Sequence, residues 1–298
     1  MTLGIRILGA AAGGGVPQWN CGCRNCAAAR AGRIPRLTQS SVAVTADGET
    51  WALINASPDI GEQLVATPAL HPRGRRHTPI ASVLVTNADV DHVAGLLTLR
   101  ERQPFVLMAT PEILAGLAAN PIFGVLAADV VERRPVALET PVELAPGLTA
   151  VPFPVPGKVA LYLEGEEVRT RVVGEQTVGV ELRAGGRTAF HVPGCAAMTP
   201  ELAARLRGAA LVLFDGTVWS DDEMIAGGLG AKTGARMGHM AMSGPDGSLA
   251  AFAGLGVRRK VFVHVNNSNP VLDPESPERR EMEAAGWTLG LDGMELSP

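Results

Sequence analysis

The chain has 298 residues, enough for one large domain with a sizeable core. Hydrophobic residues make up 46% and charged residues 19%, with 35 glycines and 22 prolines, a composition that excludes disorder and suits a loop-rich globule. A formal net charge of −4 provides no basic surface, so nucleic acid is excluded as an expected partner.

The first 15 residues, "MTLGIRILGAAAGGG", are too short in their apolar run and too rich in glycine to span a bilayer. They also lack the charged start and cleavage pattern of a signal peptide. They read as a first strand and a glycine loop, and the protein is expected in the cytoplasm with no membrane partner. "CGCRNC" follows at 21–26. Its three cysteines are awkwardly spaced for intramolecular disulfides, but Cys21, Cys23 and Cys26 can take three of the four tetrahedral positions around Zn²⁺. The loop 17–30 is therefore expected to hold a structural zinc. Asn25 and Asn267 are both open as the fourth ligand, and Trp19 beside the loop is expected to pack.

Further along, apolar β-branched runs predict buried strands at "SVAV" (41–44), "WALIN" (51–55), "SVLV" (82–85), "FVLMA" (105–109), "LVLF" (211–214) and "KVFVHV" (260–265). "VELAPGLTAVPFPV" reads as further strand, and "TVGVELRAGGRTAFHVPG" reads as a hairpin turning at "AGG". Four helices are predicted between these runs. Each opens with Ser or Thr before Pro, at Ser57, Thr110, Thr199 and Ser276, so that a hydroxyl caps and the proline starts the first turn. The basic loop "RGRRH" (73–77) is a solvated turn, with His71 and His77 solvated beside it. No repeat, low-complexity segment or linker divides the chain, and 1–298 is read as one domain.

One strand end concentrates the chemistry. "TNADVDH" (86–92) sets two aspartates and a histidine just after an apolar strand. Its residues 87, 89, 91 and 92 hold the positions of H-x-H-x-D-H, and this pattern resembles the metallo-β-lactamase superfamily. "VPGK" resembles that superfamily's "PGH", with Lys158 replacing histidine. "LFDGT" resembles its strand-ending aspartate at Asp215, and "VFVHVNN" its terminal histidine at His264. The resemblance implies an αββα sandwich, two central mixed β-sheets flanked by helices. It also implies that one of two metal sites is lost, its positions now Asn87, Asp89 and Lys158. The other survives as Asp91, His92 and His264, with Asp215 available. Two imidazoles and a carboxylate with open positions suit non-haem Fe(II), whereas two-metal hydrolysis needs both ions.

"GAAAGGGVPQWNCGCRNC", "QSSVAV", "NASPDI", "TNADVDHVAGLL", "FDGTVW", "RMGHM" and "HVNNSNP" together resemble the protein B family of pyrroloquinoline quinone (PQQ) biosynthesis, from end to end. That resemblance implies a structural zinc and an oxidoreductase: iron- and O₂-dependent hydroxylation of the tyrosine ring in a Glu-Tyr dipeptide derived from the precursor peptide PqqA, with an external reductant. It implies as alternatives a carrier moving PQQ or its precursor towards the periplasm, or a mononuclear metallo-hydrolase. Asp89 is expected as an outer-shell acceptor or a base for the phenol, and His239 as a cleft residue that binds metal or moves protons. Asp215 completes or modulates the metal site. His191, Cys195, Met237, Met240 and Met242 are read as packing. "GAAAGGG" fits G-x-G-x-x-G poorly, so no NAD or flavin is expected. A homodimer is left open.

Overall fold

The structure, a computed structural model, describes residues 2–298; of the stretch assigned to one domain, Met1 lies outside the described residues. Strands β1 (Gly4–Gly9), β2 (Ser41–Thr45), β3 (Trp51–Ile54), β4 (Ile80–Leu84), β5 (Phe105–Ala109) and β6 (Val131–Pro135) form one sheet. The other contains β7 (Val142–Ala145), β8 (Leu148–Gly157), β9 (Val172–Ala184), β10 (Arg187–Val192), β11 (Leu211–Asp215), β12 (Arg259–Val263) and β13 (Trp287–Leu289). The C-terminal β14 (Glu295–Leu296) returns to pair with β1, giving orders β14-β1-β2-β3-β4-β5-β6 and β13-β12-β11-β10-β9-β8-β7. Each sheet is mixed: β3 to β6 are parallel, as are β10 to β13, and the remaining neighbours are antiparallel.

Alternation along the strands explains why the sheets stack. Val42, Val44, Ala52, Ile54, Leu84 and Met108 enter the core shared with the second sheet. Their neighbours Ala43, Leu53, Val83 and Leu107 enter an outer core with Ile60, Ile113 and Leu117 from two helices. Strands buried on both faces have no polar side, which is why they read as continuous apolar runs. The architecture is the expected αββα sandwich.

Three of the four predicted caps form: Thr110, Thr199 and Ser276 accept from Ile113, Leu202 and Arg279 backbone N–H groups, each with proline in the first turn. The fourth does not. The helix after Ser57 runs Ile60–Val65 from Asp59, and the Ser57 hydroxyl instead donates to Gln63 Oε1. Trp19 also departs from expectation, being 87% exposed instead of packed. His71 and His77 are exposed as expected, while Met240 and Met242 join the core and Met237 stays half-buried outside it.

Candidate metal centre and its surroundings

The strands β10, β11 and β12 run parallel, and register pairs Asp215 with Val263, so His264 emerges beside Asp215 at the strands' C-terminal ends. Such ends are where open α/β sheets present functional groups. From the other sheet, the segment 85–92 leaves β4. Asn55, left-handed at φ 65°, accepts the Thr86 N–H at 2.9 Å and so fixes the start of this segment. Its end is fixed where Ala56 N–H donates to His92 O and Gly95 N–H donates to Ala56 O. A Cβ on Gly95 would fall 2.1 Å from Ser57 O, so the close approach requires glycine.

These placements gather Asp91, His92 and His264, whose ligand atoms lie within 4.8 Å of one another. Asp91 Oδ2 is 3.1 Å from His264 Nε2 and 4.0 Å from His92 Nε2. The rings of His92 and His264 meet edge-on at 5.3 Å. His92 is fully buried and neither of its ring nitrogens has a protein partner, a costly state that a metal ion would relieve. Burial lowers its pKa to about 4, keeping it in the neutral form that ligates. Burial favours protonation of Asp91, but His92 and the His264 hydrogen bond outweigh it and hold the carboxyl well below its usual range. The donor set fits one metal ion.

A second triple, Asp215, His239 and His264, shares His264. Here Asp215 is already engaged. Its oxygens accept from Cys195 N–H (2.9 Å), Thr217 N–H (3.0 Å), the Thr217 hydroxyl (2.6 Å) and His239 Nδ1 (2.6 Å). His239 and His264 stack at 5.1 Å. His239 is partly exposed and lines a cavity of about 950 Å³ together with Arg171, Met198 and Ser220.

Asn87 and Lys158, expected at the positions of a lost site, are engaged in other contacts. Asn87 Oδ1 accepts the Asp89 N–H at 3.0 Å, a side-chain turn that shapes the loop. Burial, then the neighbouring Asp91, raises the Asp89 pKa. Lys158 is buried and pairs with Glu164 at 3.1 Å, and Arg236 grips the same carboxylate through two nitrogens at 3.1 and 2.9 Å. His191 and Cys195 are fully buried, as expected for packing, although both His191 ring nitrogens lack partners.

The cysteine loop forms its own cluster. Cys21, Cys23 and Cys26 are free thiols with sulfurs within 4.8 Å of one another. Burial raises the Cys26 pKa to about 11, a cost that a cation among the sulfurs would reverse. The Asn267 carboxamide lies 3.2, 3.6 and 3.4 Å from the Cys21, Cys23 and Cys26 sulfurs. Asn25, the other candidate, instead donates to the Asn267 and Asn269 carbonyls. Sequence reasoning missed Thr217, whose hydroxyl touches Asp215, His239 and His264; only its place two residues after Asp215 in "FDGT" signalled it.

This fold and this grouping of candidate ligands define a class, and residues 50–265 match the family model described as "Beta-lactamase superfamily domain". Within that class the chain is 56% identical to Coenzyme PQQ synthesis protein B of Ruegeria pomeroyi over 98% of this chain and 99% of the relative. It is 59% identical to the protein of that name in Methylobacterium nodulans, over 97% and 98%. A crystal structure of Zn²⁺-bound PqqB from Methylobacterium extorquens superposes with a TM-score of 0.97 at 55% identity, covering 99% of this chain and all of that one. The chain belongs to the coenzyme PQQ synthesis protein B family. A diphosphatase of the PhnP family, 21% identical with a TM-score of 0.69 over 99% of this chain and 97% of that one, shares the fold. Among the described residues no helix is long and apolar enough to cross a membrane.

Proposed function

We propose that, within PQQ synthesis, this chain is a mononuclear non-haem iron hydroxylase acting on the tyrosine ring of a PqqA-derived Glu-Tyr dipeptide. The observation that carries this reading is the pairing of one carboxylate with two imidazoles at Asp91, His92 and His264, beside positions where Asn87 and Lys158 offer no second set. Fe(II) held by these three side chains would supply activation of O₂. Hydroxylation replaces a ring C–H by C–OH, sends the second oxygen atom to water and consumes two electrons and two protons, the electrons coming from an external reductant. The chain's own residues handle protons and position. Asp89, with its raised pKa, is a base for the phenol, and His239, backed by Asp215, exchanges protons on the cavity side. The cysteine loop would hold a structural Zn²⁺, as the thiol spacing and the Zn²⁺-bound relative support.

Anaerobic loading with Fe(II), then O₂ with Glu-Tyr peptide and reductant, is expected to yield a product gaining one or two oxygen atoms by mass spectrometry. His92→Ala should abolish the gain while leaving the fold and the cysteine-loop metal in place. Full activity in His264→Ala would overturn the ligand assignment.

A further inference from the structure

The connection from β8 to β9, residues 158–171, carries three cations, Lys158, Arg169 and Arg171. Lys158 is held by Glu164. Arg169 lines a small cavity of about 260 Å³ together with Glu112, Glu164 and Glu167. Arg171, exposed at the last position before β9, lines instead the cavity of about 950 Å³ that reaches His239. Among the described residues no hydrogen bond or carboxylate engages its guanidinium, whereas Arg183, Arg205 and Arg236 are each paired with a glutamate.

The larger cavity has three other ionisable side chains, His239, Asp221 and Asp246. His239 contacts Asp215 through Nδ1. Asp221 is spent on the backbone: Oδ1 accepts the Ala235 N–H at 2.7 Å and its carbonyl accepts the Gly234 N–H at 2.8 Å, which holds the start of the helix Gly234–Met237 just before His239. Asp246 is exposed and, like Arg171, has no partner among the described residues. The free charges of the cavity are thus one guanidinium and one carboxylate. Its volume lies within the ~300–1,000 Å³ of small-molecule sites. One charge of each sign suits an amino acid, which brings a carboxylate and an ammonium together, over phosphate or another polyanion.

We infer that Arg171 is a specificity-determining residue that takes a carboxylate of an amino-acid ligand bound in this cavity. The guanidinium fork matches a carboxylate with two parallel N–H donors, which fixes the ligand's orientation as well as its charge. His239 lines the same cavity and stacks on His264 at 5.1 Å, so a ligand held there lies one ring away from the candidate metal ligands. The inference rests on the proposed substrate, a Glu-Tyr dipeptide with a side-chain and a C-terminal carboxylate, and not on the redox chemistry.

The test is calorimetric binding to the full chain loaded with Zn²⁺, a metal without redox chemistry, so that binding is read without turnover. The probes are Glu-Tyr and its two neutralised forms, Gln-Tyr and Glu-Tyr amide. In the parent, one of the two amides should bind about tenfold more weakly than Glu-Tyr. Arg171→Gln should weaken Glu-Tyr by about the same factor and bind that amide no more weakly still, the non-additivity that marks a direct pair. Arg171→Lys, which keeps the charge and loses the fork, should recover part of the affinity, and Arg169→Gln should bind like the parent. Arg171 is exposed and unpaired, so its replacement leaves the fold intact. Parental affinity in Arg171→Gln overturns the proposal. So does an amide penalty that persists in Arg171→Gln, which would seat the carboxylate elsewhere, on the metal for example, and so does an equal loss in Arg169→Gln, which would make the effect one of net charge. Failure of Glu-Tyr to bind the parent overturns this proposal and the substrate reading together, whereas binding that survives Arg171→Gln overturns this one alone.

Discussion

His92 and Asn267 pose the same physical question, because each has a buried side-chain atom with no hydrogen-bond partner, the imidazole nitrogens of one and Oδ1 of the other. Leaving such atoms unpaired costs about 1–3 kcal/mol each, a penalty that a bound ion at these two places would remove. For Asn267 the surroundings name it. Three thiols converge on its carboxamide, and rotating that group exchanges nitrogen for oxygen at nearly the same point, which gives a thiolate-bound cation its fourth ligand. Asn267→Ala should therefore weaken loop metal binding by on the order of tenfold or more and speed thiol modification by a chromogenic disulfide. Asn267→Asp should restore binding with a carboxylate oxygen; an Ala variant that held metal at parental affinity would remove Asn267 from the set. Sequence alone left Asn25 and Asn267 equal, since what separates them is a contact spanning 241 residues. Asp91 and His92 were legible because they are adjacent and follow an apolar strand. Thr217 was not, since its meaning lies in a histidine 47 residues away.

Among the elements, the connection from β8 to β9 has the clearest link to the site. It exposes Leu161, Tyr162 and Leu163, yet it is pinned from two sides: the Tyr162 hydroxyl donates to Ala88 O beside Asp89, and Glu164 takes both Lys158 and Arg236. The Arg236 hydrogen bonds, helped by Lys158, hold the Glu164 pKa down to about 2, below its ordinary 4.5. A depressed carboxyl stabilises the fold fully above its unfolded value, and that contribution is lost as pH falls through the folded value. The pin is thus intact above about 4.5 and released on acidification towards about 2. Glu164→Gln, with one acceptor oxygen and no charge, should raise amide exchange across 159–171 by on the order of tenfold at neutral pH, or about 1.4 kcal/mol. It should also flatten the acid limb of stability; unchanged exchange would mean that packing alone holds the segment. Elements of this kind explain the limits of sequence reading. The long apolar strands and three proline-started helices stood out, whereas β6, "VERRP", is a polar edge strand, and β13 and β14 are too short to show a period. Ser57 carried the right cap pattern, but the helix begins at Ile60, too far along the chain for its hydroxyl to cap.

Across the whole molecule both candidate metal positions lie on the seam between the sheets. Asp91 and His92 follow β4 of one sheet, while His264 follows β12 of the other. The cysteine loop leaves β1 and meets Asn267, also beyond β12, and Ala12 N–H to Val265 O ties the same two chain segments. An ion at either place adds a link between sheets held together by apolar packing and a few hydrogen bonds, so binding should stabilise the entire fold. At a free metal concentration of about 100 Kd the gain is roughly 2.7 kcal/mol per site, and about 2 °C per kcal/mol for a chain of this size makes it near 5 °C in Tm. The two increments should be separable. His92→Ala should lose the increment from the first site and keep that of the loop, and Cys23→Ser should do the reverse, with chelator-treated parent lowest of all. Calorimetric scans at fixed Zn²⁺ would decide it. If His92→Ala retained both increments, the partnerless imidazole in the core would need an occupant other than a metal; if Cys23→Ser also retained both, neither seam position would be acting as a metal cross-link.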